Sequence, residues 1–391
     1  MSLYRQIEDA YGEQIRSLAS RLHRHPELSL REYETTALLT ELLAEKGLEI
    51  LPLELDTGVV ALLRGGEGPK IALRADIDAI PQHEAADRPD RSEIDGVMHG
   101  CGHDVHTAGL YGAACWLCDH RDRLRGDVLF IFQPAEEGLK GAKLLRDHGL
   151  WEAFRADMLF GLHNLPALPL GTVGVRPGAL MAAKDGFRIR YIGRSGHTST
   201  PQKNVDPIVA IAQLICAMQT IVSRNVGPLE SAVLNVCSVD AGAPFTTTID
   251  DAVITGNVRT LDPAVRERVL DRIGRMARDI ASAFACEAEV ELFPLTDSVV
   301  NSDALLPVAE KAAVMTVGAE GLVTPEVNLG SEDFAILGRG IPSFFYFLGS
   351  GFPGETPFLW HNPRFRAHPQ TPVYGAALLA ASVLAAQEAS S

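Results

Sequence analysis

Val128-Leu-Phe-Ile-Phe132-Gln-Pro134-Ala-Glu136-Glu137-Gly138 is the stretch from which the rest of this chain can be read. An unbroken apolar run with no polar alternation is the pattern of a strand buried on both faces, as in a parallel sheet covered by helices. Pro134 ends the run, and two adjacent carboxylates follow in a loop closed by Gly138. The same order recurs along the chain. Ile71–Leu73 leads to Asp76 and Asp78, then to His99-Gly-Cys101-Gly-His103-Asp104. Met158–Leu162 runs into His163-Asn164, and Phe344–Leu348 leads through a Gly/Pro loop to His361-Asn362. Val59–Leu63 is a further short apolar run.

Helical apolar spacing fills residues 3–24 and 31–46, on either side of His25-Pro26-Glu27, and again 104–124 and 139–148. Strands alternating with helices predict an α/β domain with a mainly parallel sheet. Residues 187–293 follow another rule. Phe187–Ile192, Ala232–Val239, Ala252–Arg259 and Glu287–Leu292 alternate, with helical patterns over 206–222 and 263–284. That order, β-α-β-β-α-β, is a ferredoxin-like α+β unit. The expected organisation is therefore an α/β domain in two segments, 1–185 and 297–391, interrupted by a ferredoxin-like domain over 186–296.

The length of 391 residues suits about two domains. A formal net charge of −15 and a pI near 5.3 argue against a phosphate-backbone grip and against a polybasic membrane patch, so neither nucleic acid nor membrane is an expected partner. The polar start MSLYRQIEDAYGEQ lacks a secretory pattern, no run of about 18 uncharged apolar residues appears, and Val373–Ala386 reads as a buried helix. The expected location is cytoplasmic. Six cysteines are too few for a disulfide scaffold, and Cys115 with Cys118 reads as a core-lining pair within a helix. Gly349-Ser-Gly351-Phe-Pro-Gly354 spells a dinucleotide motif, but Pro353 and the helix-poor sequence after it exclude that turn.

Ligands bind at the carboxyl ends of strands in α/β sheets, where this chain places its acids, imidazoles and one thiol. One strand-end histidine is ordinarily a hydrogen-bonding residue, and a Glu-Glu pair is ordinarily solvated surface. Their coincidence in successive loops points to metal. Cys101 and His103 sit on glycines able to turn both side chains inward, and Glu137, His163 and His361 bring the set to five. Five donors exceed one tetrahedral ion, and two ions about 3.5–4 Å apart with shared donors account for them.

Taken together, HPELS at 25–29, LRADIDAIP at 73–81, HGCGHDVHTA at 99–108, QPAEEG at 133–138, LHN at 162–164, SGHTSTP at 195–201, VDPI at 205–208, VRTLDP at 258–263 and GSEDF at 330–334 resemble the M20 metallopeptidase/amidohydrolase family. The likeness is to its hippurate hydrolase and IAA-amino acid (auxin-conjugate) hydrolase branch, and it covers nearly the whole chain in order. It implies a metal-bearing α/β domain with a ferredoxin-like lid that often dimerises. It makes Cys101, His103, Glu137, His163 and His361 ligands of two divalent ions, with zinc, manganese, cobalt or nickel all compatible. Glu136 becomes the general base that takes a proton from metal-activated water and returns it to the leaving nitrogen. His197 of the lid becomes the group that stabilises the oxyanion, acting across a dimer in similar proteins. Asp78 would orient an imidazole from behind, with Asp104 in a similar part, while His106 reads as a polar residue at a helix start. Arg259 could meet a substrate carboxylate at two points.

The chain departs from the family at Phe245-Thr-Thr-Thr-Ile249, where Asn-Val-Ile-Pro is frequent, and at Gln202, where a second His is frequent. Both departures bear on the substrate pocket. The expected function is metal-dependent hydrolysis of N-acyl amino acids, small molecules of the hippurate type, by a homodimer joined through the lid. A dipeptidase or carboxypeptidase using the same metals is the near alternative, and a non-catalytic metal-binding protein the distant one. Glu136 argues against the latter, because a pure binding site needs no base.

Overall fold

A computed structural model describes residues 2–242 and 244–389. The chain divides into two compact units: Met1–Gly178 with Val300–Glu326 and Asp333–Ser391, and Ala179–Val299 with Val327–Glu332.

The first unit is built on an eight-stranded sheet. At its centre Ile71–Asp76 lies parallel to both Gly126–Gln133 and Met158–Pro169, and Met158–Pro169 lies parallel to Ser343–Gly351. Val59–Glu67 runs antiparallel on Gly126–Gln133, and the short strands Glu49–Ile50, Val173–Gly174 and Leu322–Val323 complete the edges. Gly126–Gln133 is buried along its whole length, as a central strand covered on both faces must be. The Thr371–Ala389 helix is almost wholly buried and packs with His103–Asp119 and Leu3–Arg24. Leu110, Trp116 and Leu379 belong to this core, and burial on this scale dominates the stability of such a domain. Cys115 and Cys118 are free thiols in the His103–Asp119 helix, raised in pKa first by burial. After Ser343–Gly351 the chain turns without a helix, so no dinucleotide-binding turn forms.

The second unit is a four-stranded antiparallel sheet in the order Ala232–Asp240, Asp251–Thr260, Ala183–Ile192, Glu287–Thr296. Helices Pro207–Asn225 and Pro263–Ala283 each begin with Pro after a capping Asp, whose carboxylate accepts first-turn N–H groups. Their inner faces set Leu214, Met218, Val269 and Ile273 against Phe187, Ile189 and Tyr191. Pro207–Asn225 is long and apolar enough to cross a membrane by length and composition, a feature hidden in the sequence by its scattered Gln and Thr. The unit begins earlier than the expected residue 186 and also takes in 327–332. Two backbone bonds explain this, from Asn328 N to Leu180 O at 2.8 Å and from Ala182 N to Gly330 O at 2.9 Å.

Candidate metal centre

Cys101, His103, Glu137 and His361 come after strands of the first unit, whereas His163 lies within Met158–Pro169, which runs on past the expected end at Leu162 and pairs His163 with Phe347. The PAEEG loop leaves Gly126–Gln133 through Ala135, which holds φ 53°, a left-handed conformation that a non-Gly residue adopts only under constraint. Buried Glu32 supplies that constraint by accepting the Ala135 N–H at 2.8 Å, while burial raises the pKa of its carboxyl. Gly141 completes the turn, because a Cβ there would lie 1.6 Å from the Pro134 carbonyl. Gly102 caps the His103–Asp119 helix at φ 82°, sending the Cys101 and His103 side chains inward.

The donor atoms of Cys101, His103 and His163 lie within 4.8 Å of one another, and so do those of Cys101, Glu137 and His361. Cys101 is common to both groups. A third group, His103, Glu136 and Glu137, brings the second glutamate to the same place. His361 Nε2 stands 3.2 Å from Glu137 Oε2, and the His361 backbone, at φ 60°, donates to Gly100 O at 2.9 Å. His163 Nδ1 bonds Asn164 O at 2.8 Å, which leaves Nε2 for the cluster.

Asp78 lies behind this arrangement. It accepts the N–H groups of Glu136 at 3.1 Å and Glu137 at 3.0 Å, and the Ser29 hydroxyl at 2.6 Å. His103 Nδ1 is 2.9 Å from its carbonyl and 3.3 Å from Oδ1. One buried carboxylate thus holds the backbone of both glutamates and the ring of a donor.

Asp104 does something else. Its Oδ2 meets His23 Nδ1 at 3.0 Å, and His23 Nε2 meets Glu84 at 3.2 Å, beside a cavity of about 310 Å³ that includes Arg88 and Phe365. The expectation that Asp104 orients a donor imidazole is corrected: successive helical residues point about 100° apart, so Asp104 faces the Leu3–Arg24 helix while His103 faces the cluster. His106 lies in the first turn of that helix, as expected of a polar helix-start residue. It is buried and bonds Asp76 Oδ1 at 2.6 Å.

The residues fit divalent cations. His103 Nε2 is buried without a hydrogen-bond partner, 3.6 Å from Asp76 Oδ2. Burial opposes charge on His103, yet Asp76, Asp78 and Glu137 push its pKa up to about 10, so the surroundings favour positive charge there. Burial, then Glu137, drives the Cys101 thiol well up, so its thiolate needs a cation beside it. Burial keeps His163 well below its usual value, in the neutral form that coordinates.

In the second unit, His197 is exposed on a two-residue strand paired with Thr247–Thr248, and its Nδ1 is 2.7 Å from Ser199 Oγ. Arg259 is half-buried and donates to Leu329 O at 2.9 Å and Ser331 Oγ at 3.1 Å. Sequence reading gives no role to Asn164, Glu32 or Ser29, whose roles lie in contacts that span the chain rather than in local spacing.

Fold and donor set together are those of a metal-dependent hydrolase. The profile of peptidase family M20/M25/M40 matches residues 72–385, and the chain belongs to that family. It is 41% identical over 360 residues to an N-acetylcysteine deacetylase of Bacillus subtilis, covering 92% of this chain and 93% of that one. It is 38% identical to a hippurate hydrolase of Campylobacter jejuni over 339 residues, 85% of this chain and 87% of the other. A dinuclear metal-binding M20 peptidase from B. subtilis superposes with a TM-score of 0.86 at 36% identity, over 97% and 99% of the two chains. This chain is accordingly an M20-family hydrolase whose clustered donors are able to hold divalent metal ions.

Proposed function

We propose that the protein hydrolyses the amide bond of N-acyl amino acids. The carrying observation is the pair of donor groups that share Cys101, with Glu136 buried beside them. The relatives named for N-acetylcysteine and for hippurate support a small acylated amino acid as substrate. Cys101, His103, Glu137, His163 and His361 would hold two divalent ions, which when bound polarise the amide carbonyl and acidify a water. Glu136 accepts the water's proton and delivers it to the leaving nitrogen, its backbone fixed by Asp78. Asp78 also holds the His103 ring in place.

His197, exposed on its strand, stabilises the developing oxyanion in this reading. Arg259, kept cationic by the ordinary strength of a guanidinium even with burial lowering its pKa, receives the substrate carboxylate. A homodimer through the second unit is supported by the edge strand Ala232–Asp240 and by the helix Pro207–Asn225, whose exposed face carries no charge before Arg224. Six free cysteines support action in the reducing cytoplasm.

A panel of N-acetyl and N-benzoyl amino acids beside free dipeptides tests this reading, assayed after chelation and after restoring manganese or zinc. Metal-dependent release from the acylated compounds is expected. Cleavage of dipeptides alone would move the protein to the peptidases.

A further inference from the structure

Asn164 is fully buried and every polar atom it carries is used. Its backbone N–H donates to His106 Nε2 at 2.9 Å, and its Nδ2 reaches the same nitrogen at 2.9 Å and Cys101 O at 2.5 Å. Its Oδ1 accepts from Ser350 Oγ at 3.0 Å. Its carbonyl accepts from His163 Nδ1 at 2.8 Å and Trp360 Nε1 at 3.1 Å. Asn164 therefore touches Cys101, His163 and the residue before His361.

The chemistry of His106 follows from these bonds. A backbone N–H can only donate, so Nε2 of His106 is an acceptor and carries no proton. The ring proton sits on Nδ1 and is given to Asp76 Oδ1 at 2.6 Å, while Asp76 Oδ2 takes Arg74 Nη1 at 2.8 Å. Arg74 is in turn fixed by Gln133 Oε1 at 3.0 Å and Asp333 Oδ1 at 3.0 Å. With both nitrogens engaged, His106 has no lone pair for a metal, although it lies close to His103 and Asp76. Its lone pair holds Asn164 instead.

We propose that Asn164, held by the Asp76–His106 pair, is a positioning residue: its side chain fixes the backbone that places the Cys101 sulfur and holds in place its own carbonyl, which sets the tautomer in which His163 presents Nε2. The proposal rests on the assignment of Cys101 and His163 as metal donors. A merely structural asparagine would affect stability without changing how thiolate and imidazole meet an ion.

The probe is cobalt(II) alone, titrated into protein freed of metal by chelation, read by the thiolate-to-cobalt charge-transfer absorption and by affinity. The band is expected in the wild type and lost in Cys101→Ser. Asn164→Ala and His106→Phe, checked for native circular dichroism, should bind cobalt about 10–100-fold more weakly with a weakened band. His106→Gln, able to accept from Asn164 and donate to Asp76, should recover to within about threefold of wild type. Ser350→Ala removes only the bond to Oδ1 and should still weaken binding by about two- to fivefold, which keeps the test open where Asn164→Ala does not fold. Folded variants with wild-type affinity and band would overturn the positioning role while leaving the donor set standing. Equal loss in His106→Gln and His106→Phe would overturn the hydrogen-bond argument. Absence of the band from the wild type would remove the donor assignment, and the positioning role with it.

Discussion

Replacing Glu136 with Gln keeps size and shape and removes the proton acceptor. The residue is 7% exposed, and its backbone N–H is held by Asp78 at 3.1 Å, so the amide should occupy the same place. A positioned general base contributes about 10²–10⁴ in rate, or roughly 3–5 kcal/mol at 1.36 kcal/mol per decade. Burial puts the loss in the upper half of that range, because bulk water has little access to substitute for the missing carboxylate. The assay is kcat on an N-acyl amino acid, beside metal content by mass spectrometry of the purified protein. The expected result is about a 10³–10⁴-fold fall in kcat with both metals retained. Activity within about tenfold of wild type would refute the base assignment. Loss of metal in step with activity would instead make Glu136 a ligand.

Other outcomes follow from the same geometry. Cys101→Ser should deplete both ions rather than one, because the sulfur belongs to both donor groups, and metal-to-protein stoichiometry checks this. Gly141→Ala drives a Cβ to 1.6 Å from Pro134 O and should cost about 3 kcal/mol or more in urea unfolding, with activity lost as the PAEEG loop shifts. His23 has its pKa raised to about 10 in the fold despite burial, by Asp104 and Glu84, against about 6.5 when unfolded. Its ion pairs therefore contribute fully below about pH 6.5 and are lost as pH rises through 10, so Tm should fall more steeply between pH 7 and 10 in the wild type than in His23→Gln. Parallel Tm curves for the two proteins would contradict that assignment. Arg259→Ala should raise KM for substrates with a free carboxylate by about tenfold and leave their C-terminal amides little affected.

The chain exposes much of this design before any coordinates. Ile71–Leu73, Val128–Phe132 and Met158–Leu162 read as apolar runs and are almost wholly buried, so the residues after them mark the sheet's functional edge. The short strands Val173–Gly174 and Leu322–Val323 are not legible in the sequence, because two residues carry no period. Asp104 misled for a different reason. Its partner His23 lies on the first helix, and no local spacing links the two. Asn164 acts through backbone and side-chain atoms alike, with contacts as distant as Ser350 and Trp360, which side-chain type alone does not announce.

The central claim is a two-ion site built by five donors from four separate stretches of the chain. Diffraction from crystals of the manganese-loaded protein, collected at the metal absorption edge, tests it most directly. Two anomalous peaks about 3.5–4 Å apart are expected, one among Cys101, His103 and His163 and the other among Cys101, Glu137 and His361. A single peak, or one centred between Asp76 and His106, would contradict the account.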